Sequence, residues 1–268
     1  MTEEKNHDQK IVAIIQARMG SNRLPDKVLK DICGYPMLDW VVTRTMRSSS
    51  IDDVMVATST DMNDDPVAAW CEHNHIQCFR GSALDVLDRF YQAAVLVKAD
   101  VIIRLTADCP LIDPNVIDAV VELFLQKKTD FAANRLPPPF HRTYPIGLDV
   151  EVVSFRALEQ AWYEASKGFE REHVLPYLYA REGRFKIAVL DAEQNYGDMR
   201  WTVDTRQDLE FIRTLLTAMH CNRELGWMDI LQFLNNHPEL AEMNADVKHK
   251  SFTDVDERVQ KNDGGRHG

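Results

Sequence analysis

The sequence lacks the features of two large classes of protein. Its 268 residues hold 31 basic and 42 acidic side chains, which gives a net charge of -11. A general nucleic-acid binder normally presents a broad basic face, so this balance argues against that role. No apolar run approaches the roughly 18 residues that suggest a membrane span, and the leader MTEEKNHDQK has no apolar signal-peptide core. We therefore expect a cytoplasmic protein without nucleic-acid or membrane partners.

Cysteine is scarce and shows no paired spacing. The five cysteines are odd in number and scattered along the chain, at Cys33, Cys71, Cys78, Cys109 and Cys221. This pattern favours reduced thiols over a disulfide framework.

Short apolar runs alternate with amphipathic runs over the first half of the chain. We predict strands at 11–15, 54–58, 77–79, 101–105 and 131–133, and helices at 36–47, 65–74, 84–98 and 114–127. This alternation indicates a mostly parallel sheet covered by helices on both faces. Ligands of such sheets bind beyond the carboxyl ends of the strands. The loops at 16–27 and 106–113 both follow strands and are predicted to lie at that edge.

The second half of the chain is less regular. Residues 134–150 contain four prolines and predict a long loop or extended arm. Beyond it we predict strands at 150–153 and 185–190 and helices at 155–165, 170–181, 208–219 and 228–234, with Pro176 kinking or starting its helix. We expect one domain over 10–240, with flexible termini at 1–9 and 245–268.

The loop after the first strand carries a local excess of positive charge. From Lys10 to Lys30 there are five basic residues and one acidic residue. The loop combines cations that offset phosphate charge, a hydroxyl donor, and a glycine that lets the backbone approach a ligand. We therefore predict a nucleoside-triphosphate clamp at Arg18, Gly20, Ser21, Arg23 and Lys27. A solvated surface loop is the alternative. The pattern GxxxxGK[ST] is missing, which removes the usual ATPase interpretation.

Two carboxylates far apart in sequence are candidate metal ligands. Asp108, in RLTADCPLIDP, comes just after a predicted buried strand, where a carboxylate can bind Mg²⁺ together with phosphate and water. Asp204 follows a predicted strand end at 201–203, and Thr205 could cap the helix beginning near Arg206. Turn and helix-capping roles are the alternatives for both acids.

Two further segments carry candidate acceptor-binding residues. Asp149 and Glu151 are two apart in a strand-like run and should face the same side, toward an acceptor's hydroxyls or toward solvent. Arg171 and His173 could contact an anionic or polyhydroxyl acceptor, and a partly exposed structural histidine is the alternative.

Taken together and in this order, these motifs resemble the spore coat polysaccharide biosynthesis protein F group of cytidylyltransferases. That group is related to the enzymes that make CMP-activated 3-deoxy-manno-octulosonate and CMP-activated sialic acids. ARMGSNRLPDKVL is similar to the family's opening nucleotide loop, and IIRLTADCPLIDP, IGLDVEV, REHVLPY and RWTVDT are similar to its later segments. The resemblance runs from about residue 10 to about residue 235.

The resemblance implies a Rossmann-like α/β nucleotidyltransferase fold and a homodimer, with an acceptor and dimer arm at about 134–185. It implies CTP as donor, Mg²⁺ bound by Asp108 and Asp204, and an acidic sugar as acceptor. The nucleotide-binding residues that it implies are Ala17, Arg18, Gly20, Ser21, Arg23, Lys27 and Thr106, and the catalytic ones are Arg18, Lys27 and Asp108. The octulosonate enzymes carry a QGDEP-like sequence where this chain has TADCP, so Thr106 and Cys109 replace groups near the base and the metal.

We therefore predict a magnesium-dependent transfer of CMP from CTP to an acidic sugar, with release of pyrophosphate, in surface polysaccharide biosynthesis. One alternative is a nucleotide-sugar-dependent glycosyltransferase, although ADCP supplies only one acid of a DxD-type motif. The other is a non-catalytic nucleotide-binding module.

Overall fold

The computed structural model describes residues 9–136 and 141–247. Its strands are β1 (Ile11–Gln16), β2 (Asp31–Ile32), β3 (Tyr35–Pro36), β4 (Asp53–Ser59), β5 (Gln77–Gly81), β6 (Val101–Thr106), β7 (Phe131–Ala133), β8 (Arg135–Leu136), β9 (His141–Arg142), β10 (Glu151–Ser154) and β11 (Ile187–Val189).

The helices lie mainly between these strands. They are α1 (Met37–Thr45), α2 (Asp65–His73), α3 (Val86–Val97), α4 (Pro114–Lys127), α5 (Phe155–Glu164), α6 (Gly168–His173), α7 (Pro176–Tyr179), α8 (Arg206–Ala218), α9 (Trp227–Asn236) and α10 (Pro238–Ala241). Short 3-10 helices cover Lys27–Leu29, Met62–Asp64 and Glu242–Asn244.

Seven strands form one sheet in the order β11-β7-β10-β6-β1-β4-β5. Its neighbours pair in parallel, except that β10 is antiparallel to both β6 and β7. Along β1, alternate residues enter two different buried clusters, with Ile15 in one and Ile14 in the other. Both faces of the sheet are therefore covered, and the predicted α/β fold with a mostly parallel sheet and helices on both faces is confirmed.

Three local predictions differ from the structure. Residues 201–203 do not form a strand; Trp201 instead donates a backbone hydrogen bond to Ile146 beside the sheet. The helix predicted at 170–181 is two short helices, because Val174 adopts a φ of 73° and Pro176 has no N–H to continue the helical hydrogen bonds. For residues 134–150, predicted as a long loop or an extended arm, the loop alternative is wrong, because the short strands β8 and β9 pair there in antiparallel fashion.

Two cysteines contradict the expectation of reduced thiols. Cys33, in the turn between β2 and β3, forms a disulfide with Cys221, which follows α8. The two residues are 188 positions apart, so their spacing gave no sign of the pairing. Cys71, Cys78 and Cys109 are free thiols.

Some predictions concern residues outside the described ranges. Pro137, Pro138 and Pro139 of the predicted arm lie there, as do residues 1–8 and 248–268 of the predicted flexible termini. Within the described ranges, no helix is both long and apolar enough to cross a bilayer.

Candidate active site

The loop after β1 is anchored by a buried carboxylate. The Asp64 side chain accepts hydrogen bonds from the Met19 backbone N–H, at 2.7 Å, and from the hydroxyl of Ser59 at the end of β4. Ala17 is buried and donates its N–H to Ala57 at 3.1 Å. These contacts fix the loop against the carboxyl edge of the sheet.

A polar pocket opens beside this loop. Residues from the loops after β1, β4 and β5 line it, namely Arg18, Gly20, Ser59, Asp61, Asn63, Asp64 and Ala83. A Cβ atom placed on Gly20 would meet no heavy atom within 4 Å, so the backbone there faces open space. The pocket lies where a parallel sheet of this kind binds its ligand.

Ser21 and Arg23 have partners within the protein. The Ser21 hydroxyl accepts a hydrogen bond from the Leu24 N–H at 3.3 Å, which forms a local turn. The Arg23 guanidinium pairs with Asp204 at 3.0 Å. Both residues lie in the loop that was predicted to bind nucleotide, and their nucleotide contacts stay a prediction.

Lys27 joins the two predicted metal ligands. Its ammonium donates to Asp108 at 2.7 Å, to Asp204 at 2.9 Å and to the Val203 carbonyl at 3.0 Å. A lysine ammonium has three donors, so all of them are used. Burial acts to lower the pKa of Lys27, but the two carboxylates outweigh it and raise that pKa above its ordinary value.

Backbone contacts explain why the two acids meet. Asp108 stands in the turn after β6, and its carbonyl accepts the Val203 N–H at 2.8 Å and the Thr202 hydroxyl at 3.1 Å. Asp204 follows directly, and Thr205 caps α8 as predicted, with its hydroxyl accepting from the Asp208 N–H. The chain before α8 is thus fixed to the turn after β6.

Asp204 is surrounded by positive charge. Besides Arg23 and Lys27, Arg200 donates to it at 2.9 Å. Burial opposes ionisation, but these cations hold the pKa of Asp204 well below its ordinary value.

Sequence reasoning missed Arg200 and Asp208. Arg200 pairs with the fully buried Asp208 at 2.8 Å. One signal was available, since Asp208 is the third residue of α8, where an acid caps the helix start.

The metal prediction can be compared with the donor set. Within residues 9–136 and 141–247, no three His, Cys, Asp or Glu side chains cluster as metal ligands. Asp108 and Asp204 do converge, and Mg²⁺ is often held by one or two carboxylates with phosphates and water supplying the rest. The two acids fit that pattern, with the Lys27 ammonium between them.

Thr106 contacts its own turn. Its hydroxyl lies 3.3 Å from the sulfur of the buried Cys109. Burial first, then the carboxylates of Asp108 and Asp149, raise the pKa of the Cys109 thiol well above its ordinary value. The sulfur is therefore a neutral packing group beside Asp108, and the nucleotide contact of Thr106 stays a prediction.

The predicted acceptor acids Asp149 and Glu151 do share one side, where they meet arginines. Arg135 lies 3.4 Å from Asp149 and 3.6 Å from Glu151. Arg142 donates to Asp149 at 3.1 Å, and Arg104 pairs with Glu151. Three guanidinium groups thus surround two carboxylates.

Arg171 and His173 lie on α6. The Arg171 guanidinium donates to both oxygens of Asp85, at the start of α3, and to the Trp162 carbonyl at 2.7 Å. His173 is half-buried at the end of its helix. Acceptor contacts from these two residues stay a prediction.

A mostly parallel α/β sheet carries a cationic loop and two converging carboxylates at its carboxyl edge, which is the arrangement predicted for a nucleotidyltransferase. The sequence profile of the cytidylyltransferase family matches residues 12–250. The chain therefore belongs to the cytidylyltransferase family, and it is a nucleotidyltransferase.

Individual relatives agree with this assignment. The spore coat polysaccharide biosynthesis protein SpsF of Bacillus subtilis is 32% identical over 244 residues, 88% of this chain and 99% of the relative. A 3-deoxy-manno-octulosonate cytidylyltransferase of Anaeromyxobacter dehalogenans is 30% identical over 245 residues, 78% of this chain and 98% of the relative. The solved structure of a cytidylyltransferase from Leptospira borgpetersenii superposes with a TM-score of 0.83 at 32% identity, covering 90% of this chain and all of that one.

Proposed function

We propose that this enzyme transfers CMP from CTP to an acidic sugar and releases pyrophosphate. One observation carries the proposal: Lys27 joins Asp108 and Asp204 beside the loop that follows β1. A cation at this point can pair with phosphate oxygens, and two carboxylates beside it can hold a divalent cation that binds a polyphosphate. One relative is named for spore coat polysaccharide biosynthesis and another is a 3-deoxy-manno-octulosonate cytidylyltransferase, and both names support an acidic sugar as acceptor.

The reaction forms one bond and breaks another. A hydroxyl oxygen of the acceptor attacks the α-phosphorus of CTP in line, and the bond between that phosphorus and the bridging oxygen of the β-phosphate breaks. The hydroxyl proton passes to solvent, and pyrophosphate leaves. Because charge builds on phosphate oxygens, positioning and electrostatic stabilisation supply most of the catalysis.

The pocket at the sheet edge suits the nucleotide. We place CTP along Arg18 and Gly20, with the phosphates extending toward Ser21, Arg23 and Lys27. Arg18 offsets phosphate charge, and exposed backbone N–H groups near Gly20 donate to phosphate oxygens. We place the cytosine base against the loops that contribute Asn63 and Ala83 to the pocket wall.

Lys27 has a second role in this scheme. In the described structure its three donors are used by protein groups. Binding a phosphate oxygen requires Lys27 to exchange at least one of these acceptors for the nucleotide. We infer that this exchange exposes Asp108 and Asp204 as CTP arrives, so that the lysine neutralises the acids only while the substrate is absent.

Asp108 and Asp204 would hold the magnesium ion, which supplies charge neutralisation at the phosphates when it is bound. Arg23 and Arg200 keep Asp204 ionised for that role. We place the protein in the cytoplasm, as part of a homodimer in which the arm at about 134–185 contributes to the acceptor side.

The arginine cluster supports an anionic acceptor. Arg135 forms no side-chain hydrogen bond with the described residues, and its two ion pairs are long, although its side chain is only 19% exposed. A largely buried guanidinium with unused donors suits a carboxylate or phosphate that binds it in a fork-like manner. After burial and Asp108, the carboxylate of Asp149 also raises the pKa of the Cys109 thiol, and Cys109 directly follows Asp108 in the chain.

A pyrophosphate-release screen tests the proposal. It crosses four nucleoside triphosphates with a set of acidic sugars and their neutral counterparts. We expect release that requires both CTP and an acidic acceptor. In a parallel assay with nucleotide sugars as donors, release of a nucleoside mono- or diphosphate, with no pyrophosphate from any triphosphate, would instead indicate the glycosyltransferase alternative.

A further inference from the structure

The last segment of the described chain ends beside the active site. Asn244, in the 3-10 helix after α10, is only 3% exposed. Its side-chain amide donates to Asp208 at 2.9 Å and to the Arg200 carbonyl at 3.1 Å. A single amide group thus holds both members of the Arg200–Asp208 ion pair.

Asp208 is the centre of this arrangement. Besides Asn244, its carboxylate accepts from the Arg200 guanidinium at 2.8 Å and from the N–H groups of Asp204 and Thr205 at 3.0 and 2.8 Å. It has no exposed surface. The position of Asp208 therefore fixes the backbone of Asp204.

The contacts continue from there to Lys27. Arg200 also donates to one oxygen of Asp204 at 2.9 Å, and Lys27 donates to the other at 2.9 Å. An unbroken series of hydrogen bonds therefore leads from Asn244 through Asp208, Arg200 and Asp204 to the lysine.

We propose that Asn244 is a positioning residue: through its amide, the 3-10 helix Glu242–Asn244 sets the orientation of Arg200 and Asp204 relative to Lys27. Without its amide, the buried Arg200 carbonyl loses a donor and Asp208 loses one of its partners. Arg200 can then move relative to Asp208, and Asp204 is no longer held from that side. The predicted effect on turnover rests on the proposed function, whereas the effect on Lys27 does not.

The neighbouring residue provides a matched control. Met243 is partly buried and packs against the hydrophobic core, with no part in the hydrogen-bond series. Asn244→Ala and Met243→Ala both weaken the docking of the same helix. Only the first removes the amide. A purely structural role for this helix predicts similar effects of the two substitutions.

The first readout is the chemical reactivity of Lys27, measured by competitive labelling with acetic anhydride on the full chain without nucleotide. Lys186, which donates to the Lys127 carbonyl, is the internal reference. In Asn244→Ala we expect Lys27 to label several-fold faster relative to Lys186, because a loosened Asp204 no longer holds the ammonium. Met243→Ala should match the wild type.

The second readout is the rate of CTP-dependent pyrophosphate release. Loss of a supporting contact of this kind typically costs about 10- to 100-fold in activity, and we expect that fall in kcat for Asn244→Ala with little change in KM for CTP. Equal labelling and equal kcat in the Asn244 and Met243 variants would overturn the proposal. If Asn244→Ala does not fold, Asn244→Leu fills a similar space without charge and removes the amide donors, and the same two outcomes decide.

The two readouts separate this proposal from the proposed function. If the wild type releases no pyrophosphate with any acceptor, the proposed function fails. The labelling of Lys27 still decides whether Asn244 positions Asp204.

Discussion

The ammonium of Lys27 lies 2.7 Å from the carboxylate of Asp108, although 81 residues separate the two in sequence. The same ammonium also contacts Asp204. The positive charge of the lysine therefore offsets the negative charges of two acids at the edge of the sheet. In the proposed reaction, catalysis depends on the ammonium exchanging these carboxylates for the phosphates of CTP.

Removing the Lys27 ammonium should slow turnover without unfolding the protein. Loss of one electrostatic donor to developing charge costs roughly two to three decades in rate, so we expect that fall in kcat for Lys27→Ala. Lys30→Ala removes a nearby cation that contacts neither acid and should remain close to wild type. Steady-state pyrophosphate release measures both variants. A Lys27→Ala enzyme of normal rate would remove the lysine from the mechanism.

Asp108 should be required for turnover and dispensable for folding. Its carboxylate is 25% exposed and its backbone carbonyl, which a substitution preserves, makes the contacts to Thr202 and Val203. We expect Asp108→Ala to abolish pyrophosphate release and to keep a cooperative thermal transition. Circular dichroism verifies the fold. Near-normal release by this variant would show that Asp108 has no part in the reaction.

The acid stability of the nucleotide-free protein should depend on Asp204. Its pKa is lowered from an ordinary value of 3.8, because the surrounding cations outweigh burial. The ionised group therefore stabilises the fold fully above about pH 4, and this stabilisation is lost as the pH falls below that value. Asp204→Asn should lower the free energy of unfolding at pH 7 by about 1–3 kcal/mol, between the values for exposed and buried pairs.

Urea unfolding at several pH values tests this dependence. The difference between wild type and Asp204→Asn should shrink as the pH falls below 4. Asp246→Asn alters an exposed carboxylate and serves as the control, with a curve parallel to wild type. A difference that stays constant from pH 7 to pH 2 would contradict the assigned ionisation.

Arg135 should determine the affinity for the acceptor and leave the nucleotide unaffected. A hydrogen bond to a charged group is worth about 1.5–3 kcal/mol, so Arg135→Met should raise KM for an acidic acceptor by roughly 10- to 100-fold. KM for CTP should stay near its wild-type value. Arg213→Met, which removes an arginine bound to the Asp31 carbonyl, is the control. Equal changes in both KM values would indicate a general structural effect.

A mostly parallel sheet could be predicted from the sequence because its central strands are short apolar runs. The run from Ile11 to Ile15 reads as a strand buried on both sides, and the structure places alternate residues in two cores. The family resemblance implies that Asp108 and Asp204 share one metal ion, and each of them follows a predicted strand. Residues 201–203 are not a strand, yet backbone bonds to the turn after β6 bring Asp204 to the same place.

Contacts between distant side chains could not be read in this way. Nothing in the spacing of Lys27 places its ammonium between two acids, and nothing near Asn244 indicates that its amide reaches Asp208. The Cys33–Cys221 disulfide likewise joins two loops that only the folded chain brings together. The periodicity of apolar residues predicts the face of a helix or strand on which a residue lies. Which distant side chain it contacts depends on how the loops pack in the folded chain.

The most direct test of CMP transfer follows the α-phosphorus of CTP. The wild-type enzyme is incubated with α-³²P-labelled CTP and an acidic sugar. The labelled product and the released pyrophosphate are each quantified in the same reaction. We predict that the label moves into a product containing the sugar, with one pyrophosphate released for each CMP transferred, and that Asp108→Ala forms none. Label that stays in CTP with every acidic acceptor, or that appears only as free CMP, would contradict the account.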